Sequence, residues 1–354
     1  MYEKKYVGNL DIIKIIAASC IVFHHYQQTY AVKFGGGIEF YGGSIGFGYL
    51  VELFFIISGF LAAYTYKEQT RFKDYILSKL KRYYPFAFFA CIACLIIALV
   101  YYTISGKQLF DLSYSIIQII TSLFLVHTGY IETGELGINN PTWYLCILTL
   151  CYIIYFFMKK IFSKNAICDT YGFAVISLCM IPLYYAVTHW DLKIPLLYHG
   201  NVRGYGSFFL GVALCIVWQR LKKKQIILLN VTLSILGIIG VCLKGFSNWY
   251  ILTYFVFPAI VIFTLIIPNT KSKAIKYAGG ISFEVYLWHV PLLGIFTLIL
   301  DTNELILEHT YITMLLFCAV AWIWGTFIYF AIEKPLGKLL QKKIQNKKAG
   351  NEKK

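Results

Sequence analysis

The feature that most constrains this chain is a series of long apolar runs, each long enough to cross a bilayer, separated by short basic clusters. A membrane-spanning helix needs about 17–25 mostly apolar residues. Such runs lie near 10–28, 49–66, 84–104, 142–158, 171–188, 204–219, 226–243, 249–267, 281–300 and 311–332. They predict an all-α integral membrane protein with about ten transmembrane helices. Hydrophobic residues make up 59% of the 354 and charged residues 14%. Soluble domains carry about 25% charged residues, so a water-soluble fold is excluded. Tyr and Trp are plentiful, as expected where aromatic rings sit at headgroup level.

A weaker segment runs from Leu112 to His127 and carries Ser113, Ser115, Gln118, Thr121 and Ser122. The positive-inside rule decides whether it crosses. If it does not, 26 of the 32 Lys and Arg fall in segments on one side, the cytoplasm. The exceptions are Lys33, Lys107, Lys193, Arg203 and Lys244 outside, and Lys14 within the first run. If it did cross, every later loop would invert and the bias would collapse. The expectation is therefore a short interfacial or re-entrant helix near 112–127, with both termini cytoplasmic. Glu132, Glu135, Asp301, Glu304 and Glu308 then face outward. One domain is expected over 1–337, followed by a basic, disordered tail at 338–354 with affinity for lipid surfaces.

A net charge of +15 is of the size seen in nucleic-acid binders. However, the basic residues lie in short inter-run clusters, which is topology information, and no nucleic-acid partner is expected. Of ten cysteines only Cys168 lies outside an apolar run, and Cys91-x-x-Cys94 has no second pair nearby. Free, buried thiols and no metal site are expected. Lys4 and Lys5 before an apolar stretch resemble a signal peptide, and Ala17-Ala18-Ser19-Cys20 a lipoprotein cleavage site. The run continues through Phe23, too far for a typical signal, so a retained first span is expected.

Ionisable groups within spans are costly and are functional candidates by default. The first run holds Asp11, Lys14, His24 and His25. Lys14 and His25 are eleven residues apart, within about 20° of three full helical turns and about 16 Å along the axis. They share a face, which His24 does not. The bland alternative is that Lys14 snorkels to headgroups and His25 caps the other end. Glu52 opens the second run at a depth close to that of His25, where it could orient or charge-pair it. Lys79 and Arg82, three apart, could grip an anionic donor, although topology signalling explains them equally well. His289 has Glu284 and Trp288 as neighbours. Glu333 precedes Pro335 and could pair with Lys14 or Lys334. His199 and Arg203 lie where an acceptor could dock, whereas His127, His189 and His309 read as interface residues. Ser58-Gly59, in too apolar a setting for a nucleophile elbow, fits close helix packing.

Several stretches together resemble the membrane-bound acyltransferase-3 family. They are Leu10-Asp11 through His25, Val51-Glu52-Leu53-Phe54-Phe55-Ile56-Ile57-Ser58-Gly59-Phe60, Lys79-Leu80-Lys81-Arg82-Tyr83-Tyr84-Pro85, Ile281-Ser282-Phe283-Glu284-Val285-Tyr286-Leu287-Trp288-His289 and Ile332-Glu333-Lys334-Pro335. The resemblance implies ten membrane helices and acyl transfer, usually of acetyl from acetyl-CoA, to an acceptor that is often a cell-surface or lipid-linked carbohydrate. No tightly bound cofactor is implied. Where the family has Arg, ten residues and His, this chain has Lys14 and His25. Where it has Arg-x-x-Arg, this chain has Lys79-x-x-Arg82, and Glu52 replaces the usual aspartate. The Lys replacements keep charge but lose the guanidinium fork. The expected roles are His25 and Glu52 at the chemistry, and Lys14, Lys79 and Arg82 on acyl-CoA. Asp11, His24, Arg203, Tyr286, His289 and Glu333 are the supporting candidates. From the length, no added esterase-like domain of the kind some members carry is expected. The rival reading is a transporter or flippase of glycan or lipid precursors.

Overall fold

The computed structural model describes residues 6–109, 115–130, 137–190, 194–300 and 304–337. The basic tail, and Glu132, Glu135 and Asp301, lie outside these. Among the described residues the chain is helical, without strands. The principal helices are α1 (Asn9–Tyr30), α2 (Leu50–Thr65), α3 (Phe72–Ser105), α4 (Ile116–Leu123), α5 (Thr142–Phe162), α6 (Ala166–His189), α7 (His199–Arg220), α8 (Lys223–Lys244), α9 (Trp249–Ile266), α10 (Lys273–Ile299) and α11 (Thr310–Gly337). Among the described residues nine of these are long and apolar enough to cross a membrane. The chain is a multi-pass membrane protein.

α1 is long enough to cross but does not belong to that apolar set, because of Asp11, Lys14, His24 and His25. It lies against α10, α2 and α11, which cover its polar face. α4 is eight residues with a Ser115–Gln118 capping box, about 12 Å long and too short to span. Ile116, Ile117 and Ile120 of α4, and Phe124 just after it, point outward, while Gln118, Thr121 and Ser122 are buried. α3 is longer than its apolar core, because the basic stretch before Tyr84 continues the same helix. At 34 residues it is about 51 Å long, well beyond the hydrocarbon thickness of about 30 Å.

The centre of the bundle is α7 and α10, each with 72% of its apolar window buried, against 6% for α8 at the periphery. α2 and α7 touch backbone to backbone. A Cβ on Gly59 would fall on the Phe208 carbonyl, and one on Gly211 on that of Ile56. This reciprocal contact explains Ser58-Gly59 and fixes the register of the two helices. At one end of the bundle Asp169 pairs with Lys159, and with Arg220 at 3.7 Å, tying α5, α6 and α7 together. The Asn9 amide donates to the Thr264 and Pro268 carbonyls and its oxygen accepts from Thr270 N–H, pinning α1 to the α9–α10 turn.

Two helices contain a π-turn, Leu252–Val256 in α9 and Tyr329–Glu333 in α11. Pro258 and Pro335 follow, and each lacks the N–H that would reach back four residues into the turn. All ten cysteines are free. Cys179 and Cys242 are exposed rather than buried, because α6 and α8 are outer helices whose apolar surface faces lipid. His127 is likewise a core residue, 3.4 Å from the Cys146 sulfur, rather than an interface residue.

Candidate functional site

Two cavities enter the bundle from opposite ends. The first, about 630 Å3, is lined by His24 and His25 of α1, the N-terminal turns of α2 and α7, Trp143 of α5 and the glycine-rich segment 42–48. The second, about 350 Å3, is lined by Lys14 of α1, Lys79 and Arg82 of α3, Glu284 and Tyr286 of α10 and Glu333 of α11. We refer to them as the histidine cavity and the cationic cavity. α1 therefore places Lys14 in one and His25 in the other.

Phe54, Tyr144 and Tyr286 form an aromatic cluster in the cationic cavity. Their ring centroids are 5.6–6.4 Å apart. Val51, one turn before Phe54, lines the histidine cavity. The trio is held in place by polar contacts. Ser58 Oγ lies 2.9 Å from the Tyr144 hydroxyl, and the Tyr286 hydroxyl donates to the Pro141 carbonyl at 2.9 Å. Asn139 in the same loop donates to the Leu287 carbonyl at 3.0 Å, docking the start of α5 on α10.

In the histidine cavity, His25 Nδ1 is 2.8 Å from Gln28 Oε1. The amide oxygen accepts, so Nδ1 carries the hydrogen and Nε2 the lone pair. Gln28 thus makes the orienting contact for which the sequence offered Glu52. Glu52 is completely buried and accepts from Arg203 Nε at 2.5 Å. The Arg203 guanidinium lies 5.1 Å from the Tyr49 ring centre and 5.4 Å from that of Trp143, a cation held between two aromatic faces. His24 Nδ1 donates to the Phe40 carbonyl at 2.7 Å. Gln27 Oε1 accepts from the Phe40 and Tyr41 amides. The loop after α1 is thereby folded over the cavity mouth, and His199 completes its wall.

In the cationic cavity, Lys14 pairs with Asp11, which also accepts from the Tyr6 hydroxyl. Lys79 Nζ lies 4.9 Å from the Tyr152 ring centre. Among the described residues Lys79 and Arg82 form no ion pair. Glu284 and Glu333 lie within hydrogen-bonding reach of each other. Glu333 therefore meets another carboxyl group, while Lys14 meets Asp11 and Lys334 lies over Phe330. The π-turn that ends at Glu333 supplies the change of helical phase that aims it inward. His289 is buried between the cavities, its ring 5.0 Å from that of His25 and 6.3 Å from that of Tyr286. Among the described residues no three His, Cys, Asp or Glu side chains converge as metal ligands.

Sequence reasoning missed Gln28, Tyr49, Trp143 and the loop around Phe40–Gly48. Gln28 had a local signal, since it follows His25 by three residues and shares its helical face. The loop had a weaker one, seven glycines between Gly35 and Gly48.

The acyltransferase domain profile of the acyltransferase-3 family matches residues 7–331, nearly the whole chain. The chain belongs to the acyltransferase-3 family. The match groups it with acyltransferases rather than with transporters. Curated relatives include the peptidoglycan O-acetyltransferase OatA of Listeria monocytogenes, 22% identical over 86% of this chain and 52% of the relative. A putative peptidoglycan O-acetyltransferase of Bacillus subtilis, YrhL, is 22% identical over 95% of this chain and 56% of its own length. The O-acetyltransferase OatA of Staphylococcus aureus is 21% identical over 83% and 51%. The chain spans about half the length of these relatives. No solved structure matches it significantly.

Proposed function

We propose that this chain is an integral membrane O-acyltransferase that moves an acyl group, acetyl in the first instance, from cytoplasmic acetyl-CoA to a hydroxyl of an extracytoplasmic or lipid-linked carbohydrate. In this reading α1 joins the nine apolar helices as a tenth crossing. Both ends of the chain lie in the cytoplasm of a bacterial inner membrane, and the cationic cavity faces inward. The single observation that carries the reading is the pair of cavities that α1 joins, one holding Lys14, Lys79 and Arg82 and the other lined by His24, His25 and His199.

The donor's phosphates would meet Lys79 and Arg82, with Lys14 beside them, and its thioester arm would pass the aromatic trio toward His25. His25 Nε2, free to accept, takes the proton of the acceptor hydroxyl as that oxygen attacks the thioester carbonyl. Glu52 acts through Arg203, holding the guanidinium against the cavity wall. Arg203, Tyr49 and Trp143 then offer a polar and aromatic surface of the kind that suits a sugar ring. The supporting candidates Asp11 and His24 place Lys14 and the cavity-mouth loop, respectively.

The test uses purified protein in vesicles, labelled acetyl-CoA and an isolated cell-wall glycan. Wild type transfers label to glycan hydroxyls and His25→Ala, equally well expressed, does not. Full acceptor O-acetylation by His25→Ala would sink the assignment. Comparing the surface glycan of a deletion strain with wild type would identify the acceptor.

A further inference from the structure

His289 is buried, and its Nδ1 lies 3.2 Å from the Val285 carbonyl oxygen. A carbonyl only accepts, so Nδ1 carries the hydrogen and Nε2 the lone pair. That Nε2 is buried and has no hydrogen-bond partner. Leaving an acceptor buried and unpaired costs stability. Its surroundings suggest a purpose. On one side is the ring of His25, in the same tautomer with Nε2 also free of the Gln28 contact. On the other is Tyr286, which lines the cationic cavity. His289 thus lies between a residue of the histidine cavity and a residue of the cationic cavity.

Acyl transfer has a proton to move through this region. The acceptor O–H bond breaks, a C–O bond forms at the acyl carbon and the C–S bond breaks. The hydroxyl proton is then on the acceptor side, at His25, while the thiolate left on the donor side needs one. We propose that His289 is the proton-transfer partner of His25: its Nε2 receives the proton from His25 and delivers it to the departing sulfur. Both rings end neutral, the thiol leaves protonated, and no other reactant is consumed. This step rests on the acyltransferase reading above.

The test uses the full chain in vesicles, with kcat and KM for acetyl-CoA measured for wild type, His289→Gln and His289→Ala. His289→Gln keeps the size and a hydrogen-bonding group but cannot shuttle a proton. It should lose about 10²-fold or more in kcat, with KM for acetyl-CoA within about threefold of wild type, as expected when binding is untouched. His289→Ala should show the same loss and regain turnover with added imidazole, the recovery rising from 4-bromoimidazole to imidazole to 4-methylimidazole as the base strengthens. A structural role would not produce that order. Wild-type kcat in His289→Gln overturns the proposal, and so does a His289→Ala variant that no imidazole restores. If wild type itself transfers nothing, the acyltransferase reading fails. If wild type transfers and His289→Gln keeps pace, only the proton bridge fails.

Discussion

The two cavities handle charge in opposite ways. In the histidine cavity the formal charges are already paired. Arg203 is bonded to Glu52 and held between Tyr49 and Trp143, and each α1 histidine has an oxygen on its Nδ1. In the cationic cavity Lys79 and Arg82 form no ion pair among the described residues, and the two carboxyl groups beside them face each other. A buried pair is expensive to break but carries no net attraction for a ligand. Cations left unpaired hold their attraction in reserve for an incoming anion. The first cavity is therefore organised to hold geometry, the second to take up charge.

That contrast can be broken at its strongest point first. His25→Ala should lower turnover by about 10²–10⁴-fold, the usual worth of a positioned base, measured as label transferred from acetyl-CoA. Arg203→Met should destabilise the protein by about 3–5 kcal/mol, because it strands the Glu52 carboxylate in the bundle. Thermal unfolding in detergent reads this out, and adding Glu52→Gln should recover most of the loss. If Arg203→Met melts like wild type, the histidine cavity is not held by its ion pair. Lys79→Ala and Arg82→Ala should each raise the KM for acetyl-CoA by roughly 10-fold or more with kcat nearly unchanged, the loss of one charged hydrogen bond. Added salt should raise the wild-type KM in the same direction, because exposed attraction is screened. The smallest effect is expected from Lys79→Arg, a severalfold decrease in that KM as a forked donor replaces a point charge on phosphate.

Much of this arrangement was legible in the chain. The apolar runs located the spanning helices, and the basic clusters argued that the weak stretch around Ile116–Leu123 does not cross. The eleven-residue spacing carried Lys14 and His25 to two cavities along one helix. What stayed hidden depends on tertiary packing. Glu52 and Arg203 are 151 residues apart, and they meet because Gly59 and Gly211 let α2 and α7 touch. Hydropathy sees each of those helices alone. The aim of Glu333 depends on a π-turn that no local pattern announced beyond Pro335. Gln28 carries no charge to mark it within the span, although an amide one helical turn from His25 has better geometry than the Glu52 carboxylate.

The uneven polarity of α1 also bears on how the protein is made. This helix leaves the ribosome well before its chief partner α10, yet it is more polar than the helices that qualify as apolar spans. Insertion machinery would have to retain α1 beside the nascent chain until the later helices arrive. Truncations that stop before Lys273 should leave it exposed to quality-control proteases, even though every helix they contain is intact.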